Sequence, residues 1–127
     1  MSTLDAAWSL ADAWPVAASS IGVVHSGGVE THGDMQRRQR LASVSKPLSA
    51  YAVLVAIEEG SVHLDDAVGQ TGSTVQHLLA HAGGYAFEGA NPVGKPGVKR
   101  IYSNTGFDML AQHVEHETAR SLQCPRH

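Results

Sequence analysis

The spacing of hydrophobic and polar positions changes several times along the chain, and each change marks an element. Leu4, Ala7, Trp8 and Ala11 recur at helical spacing, with Ser2 and Asp5 forming a capping-box pattern before them and Pro15 ending the run. From Ala17 to His25 the pattern is that of a strand, with Ile21, Val23 and Val24 as its apolar members. Gly27-Gly28 predicts a hairpin turn into a second short strand from Val29, and Arg37 to Ala42 reads as a further extended piece. The next helix begins close to Ser43, with Pro47 in its first turn, and stops at Gly60. Its middle, "AYAVLVAI", is apolar on every side, which predicts a buried helix. Ser73 or Thr74 caps a short helix reaching His81, and the Gly- and Pro-rich stretch from Phe87 to Gly97 reads as a loop. A last helix from about Thr105 carries Phe107, Leu110, Ala111 and Val114 on one face. The element pattern is that of an α+β chain.

Composition narrows the function classes. A chain of 127 residues, 43% hydrophobic and 17% charged, suffices for one domain with a real core. A net charge of −3 argues against nucleic acid or an anionic membrane as partner, and Arg37, Arg38 and Arg40 read as a solvated strand edge. A single cysteine, Cys124, allows no intrachain disulfide. The longest apolar run, Ala50 to Ile57, is too short to span a bilayer, and no signal-peptide pattern opens the chain. These features lead us to expect a cytoplasmic location.

Candidate chemistry concentrates at the start of the apolar helix. Ser43 and Lys46 stand at i and i+3, so one helical turn makes their side chains neighbours. A helix N-terminus favours negative charge and disfavours a cation, which suits an amine acting as proton acceptor beside a nucleophilic hydroxyl. S-x-x-K alone is a weak signal. A second motif, Tyr102-Ser103-Asn104, puts a phenol and an amide at a loop-to-helix junction, and the chain has only 3 tyrosines from which to make it. The competing expectation for this motif is Asn104 as a plain N-cap with Tyr102 packed in the core.

Together, S-x-x-K before an apolar helix and Y-x-N before a later one resemble the penicillin-recognising serine hydrolases. The likeness is to their class C β-lactamase and D,D-carboxypeptidase/esterase branch. "LASVSKPLSAYAVLVAIEEGSVHLDDAV" is similar to that family's nucleophile helix and following Leu-Asp-Asp turn. "TVQHLLAHAGG" and "KPGVKRIYSNTGFDML" resemble its next two segments, in the family's order. The resemblance covers roughly residues 17 to 117. It implies a partial β-lactamase/transpeptidase-like fold, a family domain over 1–118, and a tail over 119–127 that is disordered. It implies Ser43 as acylated nucleophile, Lys46 as its proton acceptor, and Tyr102 sharing proton transfer with the leaving group. Asn104 would bind the substrate's amide side chain and hold the lysine. The Ser43 backbone N–H would serve as one oxyanion donor. The substrate would be a β-lactam, a D-Ala-D-Ala-type peptide or an ester, with no metal or organic cofactor.

The resemblance also implies a third motif, Lys-Thr-Gly or His-x-Gly, on a later strand. Nothing after Asn104 supplies it; His25-Ser26-Gly27 and His81-Ala82-Gly83 have the letters but precede Y-x-N. The expectation is therefore acyl transfer impaired by truncation, the alternative being a catalytically dead fragment or binding module that keeps part of the cleft. An unpaired strand edge would then invite self-association. Two decoys are set aside. "GANPVGK" has P-loop letters, but Pro96 follows where Ser or Thr is needed. His77 with His81, and His113 with His116, have zinc-compatible spacing but no further ligand beside the first pair.

Overall fold

The computed structural model describes residues 3–123. They form two compact units that divide between Arg40 and Leu41. The first holds helix α1, Thr3–Asp12, and a two-stranded antiparallel sheet of β1, Ser20–His25, and β2, Gly28–Gly33. Ser2 lies outside the described residues, so the capping box has no structural account. Ala11 is the buried residue of the α1 apolar stripe, with Leu4 and Trp8 half-buried.

The hairpin pairs Val24 with Val29 and His25 with Gly28. Its two-residue turn is therefore Ser26-Gly27, one position earlier than the Gly-Gly dipeptide suggested. Gly28 follows at φ 131°, a value that a side chain would strain. His25 explains the placement: its Nδ1 accepts the Gly27 N–H at 3.0 Å, and its Nε2 lies 3.0 Å from the Glu30 carboxylate. Beyond β2, Arg37 to Leu41 takes no strand; a turn at Met35-Gln36 intervenes, where the Asp34 carboxylate accepts the Gln36 N–H. Clustered arginines give this stretch no apolar face to bury, so extended propensity has nothing to pair against.

The second unit is helical. A single 3₁₀ turn, η1 at Ala42–Val44, leads straight into α2, Ser45–Glu58. Pro47 fits the first turn because no earlier carbonyl awaits its missing N–H. At the other end Gly60 adopts φ 73°, its N–H reaching the Ile57 carbonyl and that of Ser61 the Ala56 carbonyl. This pair of bonds closes the helix as a Schellman motif. Helix α3, Val75–Leu79, is capped by the Thr74 hydroxyl accepting the His77 N–H, and α4 spans Asn104–Gln123. It runs past position 118, where the sequence put the end of the family-like segment. Residues 124–127 of the expected tail, including Cys124, lie outside the described residues.

The core of this unit joins Val53 and Ala56 of α2 to Val62, Val75, Leu78, Tyr85 and Leu110. A polar brace closes it, since Gln70 donates through Nε2 to the Gly83 and Gly94 carbonyls and through its backbone N–H to the Tyr85 hydroxyl. A second brace ties α4 to the Leu-Asp-Asp turn, with His113 Nε2 3.1 Å from the Asp66 carboxylate. The His63 N–H first, and His113 after it, hold that carboxylate below its ordinary range. The expectation that α2 is buried all round is not met. Val53 and Ala56 alone are buried, while Leu48, Tyr51 and Leu54 are exposed by half or more. Only the stripe that carries Val53 and Ala56 is buried, against the core cluster. Among the described residues no helix is long and apolar enough to cross a membrane.

Candidate active site

The four residues picked out in the sequence converge. The η1–α2 junction carries Ser43 and Lys46, and the segment entering α4 carries Tyr102 and Asn104. The Lys46 ammonium donates to Asn104 Oδ1 at 2.6 Å and stands 3.5 Å from Ser43 Oγ, a distance long for a hydrogen bond. It also sits 5.0 Å from the centre of the Tyr102 ring and 5.7 Å from that of Phe107. Its charge is thus shared between an amide oxygen and two aromatic faces. Ser43, Lys46 and Tyr102 open on a cleft of about 310 Å³ that Pro47, Ala50, His81 and Phe107 also line, while Asn104 lines an adjoining hollow with Lys46 and Glu88.

Local bonding separates the two serines of the first motif. Ser45 Oγ donates to the Ala42 carbonyl at 2.7 Å and is spent closing the helix start. Ser43 Oγ instead faces Lys46 and the Tyr102 phenol. The hydrogen bonds from Ser43 and then Lys46 hold that phenol below the usual tyrosine range, which readies it to take and return a proton. Immediately before Ser43, Ala42 lies at φ 46°. An alanine in this left-handed region costs about 1–3 kcal/mol, a strain typical of a turn that presents a reactive side chain.

Asn104 is not the helix cap. Ser103 has that role, its buried hydroxyl accepting the Gly106 N–H at 3.1 Å. Asn104 is released to the site, and its orientation follows from its partners. Lysine can only donate and an ionised carboxylate can only accept, so Oδ1 faces Lys46 and Nδ2 donates to Glu88 at 2.7 Å. The backbone N–H of Asn104 also reaches the Phe87 carbonyl at 2.9 Å. The Gly- and Pro-rich loop therefore holds this residue twice. Tyr102 likewise is half-buried at the cleft wall rather than part of the core.

Sequence reading passed over Glu88, an acidic residue in a loop that carried no motif. It took Phe107 only as part of an apolar face, and it weighed His81 only as half of a zinc-like pair and as misplaced His-x-Gly letters. Among the described residues no three metal-ligating side chains cluster. His77 is occupied by Thr74, its Nδ1 3.1 Å from that hydroxyl. His81 turns the other way, into the site, with Nδ1 accepting the Ser103 N–H at 3.1 Å and its ring stacked 4.5 Å from Tyr102. The ring lies in the cleft wall with Phe107, 5.0 Å away.

A search of curated proteins returns no match. The crystal structure of a β-lactamase from Mycobacterium bovis is similar over 89% of this chain, with 47% sequence identity and a TM-score of 0.79. The chain spans 42% of that structure's length. The β-lactamase family model matches residues 6–123. The α+β architecture thus corresponds to part of a β-lactamase fold, and the chain belongs to the β-lactamase family.

Proposed function

We propose that this chain carries the acylation half of a serine hydrolase site, acting on a β-lactam, a D-Ala-D-Ala-type peptide or an ester. Supporting the reading above all is the convergence of Ser43, Lys46 and Tyr102 on one cleft, with Asn104 bonded to Lys46 beside it. Ser43 Oγ attacks the carbonyl carbon while its proton passes to Lys46, which must enter this step as the free amine and leaves it as the ammonium, with Tyr102 within reach to relay the proton. The tetrahedral intermediate collapses as the C–N or C–O bond breaks, and the leaving group receives a proton through Tyr102. Water then releases the acyl group and restores Ser43. Asn104 keeps Lys46 in place and offers its remaining N–H to the substrate's amide.

A second reading is a binding module that retains part of the cleft without turnover. It is favoured by the long separation of Lys46 and Ser43. Intact-mass measurement after exposure to a reactive β-lactam separates the two. Acyl transfer adds one reagent mass at Ser43; a mass unchanged under saturating reagent supports the binding module. The exposed apolar residues of α2 and the short hairpin support self-association as a further property of the chain.

A further inference from the structure

His81 stands at an unusual point of the backbone. Ala80 is the C-cap of α3, and the next position, which glycine commonly fills, adopts a left-handed conformation. Here it is His81, at φ 56°. Its N–H bonds the Leu78 carbonyl at 3.0 Å and that of Ala82 bonds the His77 carbonyl at 2.7 Å, so the ending is a complete Schellman motif. Glycine would satisfy the same bonds without strain. The side chain is what the position gains from histidine.

That side chain and its own carbonyl grip the Y-x-N segment on both sides of the tyrosine. The His81 carbonyl accepts the Ile101 N–H at 2.7 Å, and Nδ1 accepts the Ser103 N–H at 3.1 Å. Between these bonds the Tyr102 ring lies against the imidazole at 4.5 Å, the planes inclined by 27°. An accepting Nδ1 requires the proton on Nε2, so the ring is neutral and of one tautomer. Burial, then the charges of Arg100 and Lys46, favour that neutral form.

We infer that His81 is a positioning residue that clamps residues 101 to 103 and thereby aims the Tyr102 phenol at Ser43 and Lys46. The clamp deepens the proposed function and relies on it only for its effect on rate, because the aim of the phenol can be read without substrate. Tyrosine carrying a ring carbon label gives three resonances, and loss of one in Tyr102→Phe identifies the reporter. In the parent chain its phenol titrates below the ordinary tyrosine range. His81→Gly keeps the left-handed backbone but removes the acceptor and the ring, and should move that titration upward. His81→Phe, which keeps a ring without an acceptor, should follow it. His81→Asn should stay near the parent, since asparagine tolerates the left-handed region and its oxygen can accept the Ser103 N–H.

Parental titration of Tyr102 in both the glycine and phenylalanine variants overturns the inference. So does an asparagine variant displaced as far as they are, because the backbone clamp then contributes nothing. Where acylation is measurable, His81→Gly should slow it by about tenfold to a hundredfold, as expected when a reacting group is misplaced without loss of binding. The asparagine variant should recover most of that rate. A chain that never acylates but shows these titrations refutes the proposed function and leaves the clamp standing.

Discussion

Ser43 and Ser45 lie two positions apart and differ in what their hydroxyls are bonded to. Ser45 Oγ closes the helix start on Ala42, while Ser43 Oγ faces Lys46 and Tyr102. Any adduct should therefore vanish in Ser43→Ala and persist in Ser45→Ala, which intact mass reads directly. Labelling of Ser43→Ala at the parental level would sink the assignment. Lys46→Arg should acylate as poorly as Lys46→Ala, because a guanidinium cannot take a proton near neutral pH. An active arginine variant would mean that the position supplies charge alone. His81 gives a pH-dependent prediction whose sign follows from its lowered pKa. The unfolded chain takes up a proton near pH 6.5 that the folded chain resists. Stability from this group is thus complete above that pH and falls as the pH drops through it. Thermal melts of the parent should lose ground below pH 6.5 relative to His81→Asn. Parallel curves would show that no such proton is resisted. The corresponding loss from Asp66 belongs to a separate, more acid range, below its ordinary 3.8.

At the scale of elements, the site depends on how α2 and α4 are held. Leu110 is 1% exposed and packs in the cluster with Val53 and Ala56, about two turns along α4 from Asn104 and about one from Phe107. Leu110→Ala should cost about 2–5 kcal/mol, the range for a large side chain deleted from a core. It should also weaken acylation, since the helix that presents Asn104 loses its anchor. Gly60 ends α2 at φ 73°, and Gly60→Ala should cost about 1 kcal/mol, read as a lowered Tm with the adduct unchanged. Equal effects of both substitutions on acylation would argue against a selective role for the α2–α4 contact.

For the whole molecule, the exposed apolar surface governs behaviour. Leu48 is 63% exposed and Tyr51 69%, on a helix whose composition is that of a core. The hairpin likewise leaves Val24 81% exposed and pairs with nothing beyond its own two strands among the described residues. Surface of this kind and an open strand edge favour association. The chain should sediment as associated species, and Leu48→Asp with Leu54→Asp should shift it toward monomer. A parent chain that sediments as a monomer and melts in one sharp transition would refute this.

The helices, the hairpin and the motif order were all legible in the sequence, because propensity, capping and hydrophobic period are local properties. Pro47 and Gly60 bracket α2 by their own backbone chemistry, and Ser43 and Lys46 become neighbours through helical spacing alone. The convergence of Tyr102 and Asn104 on them was legible only through family likeness, since nothing local brings residues so distant in sequence together. The turn at Ser26-Gly27 was misread by one residue because a histidine side chain, not a glycine pair, decides it. The burial of α2 was overestimated because period reports what a helix can bury, whereas burial needs a partner surface. Tertiary structure alone decided that Ser103, not Asn104, caps α4, and that Glu88 turns the Asn104 amide. It also decided that His81 faces the site. The bonds of Asn104 to Lys46 and Glu88, and of the Ser103 N–H to His81, join segments whose approach the packed helices set; with Asn104 so engaged, the local cap on the Gly106 N–H falls to Ser103.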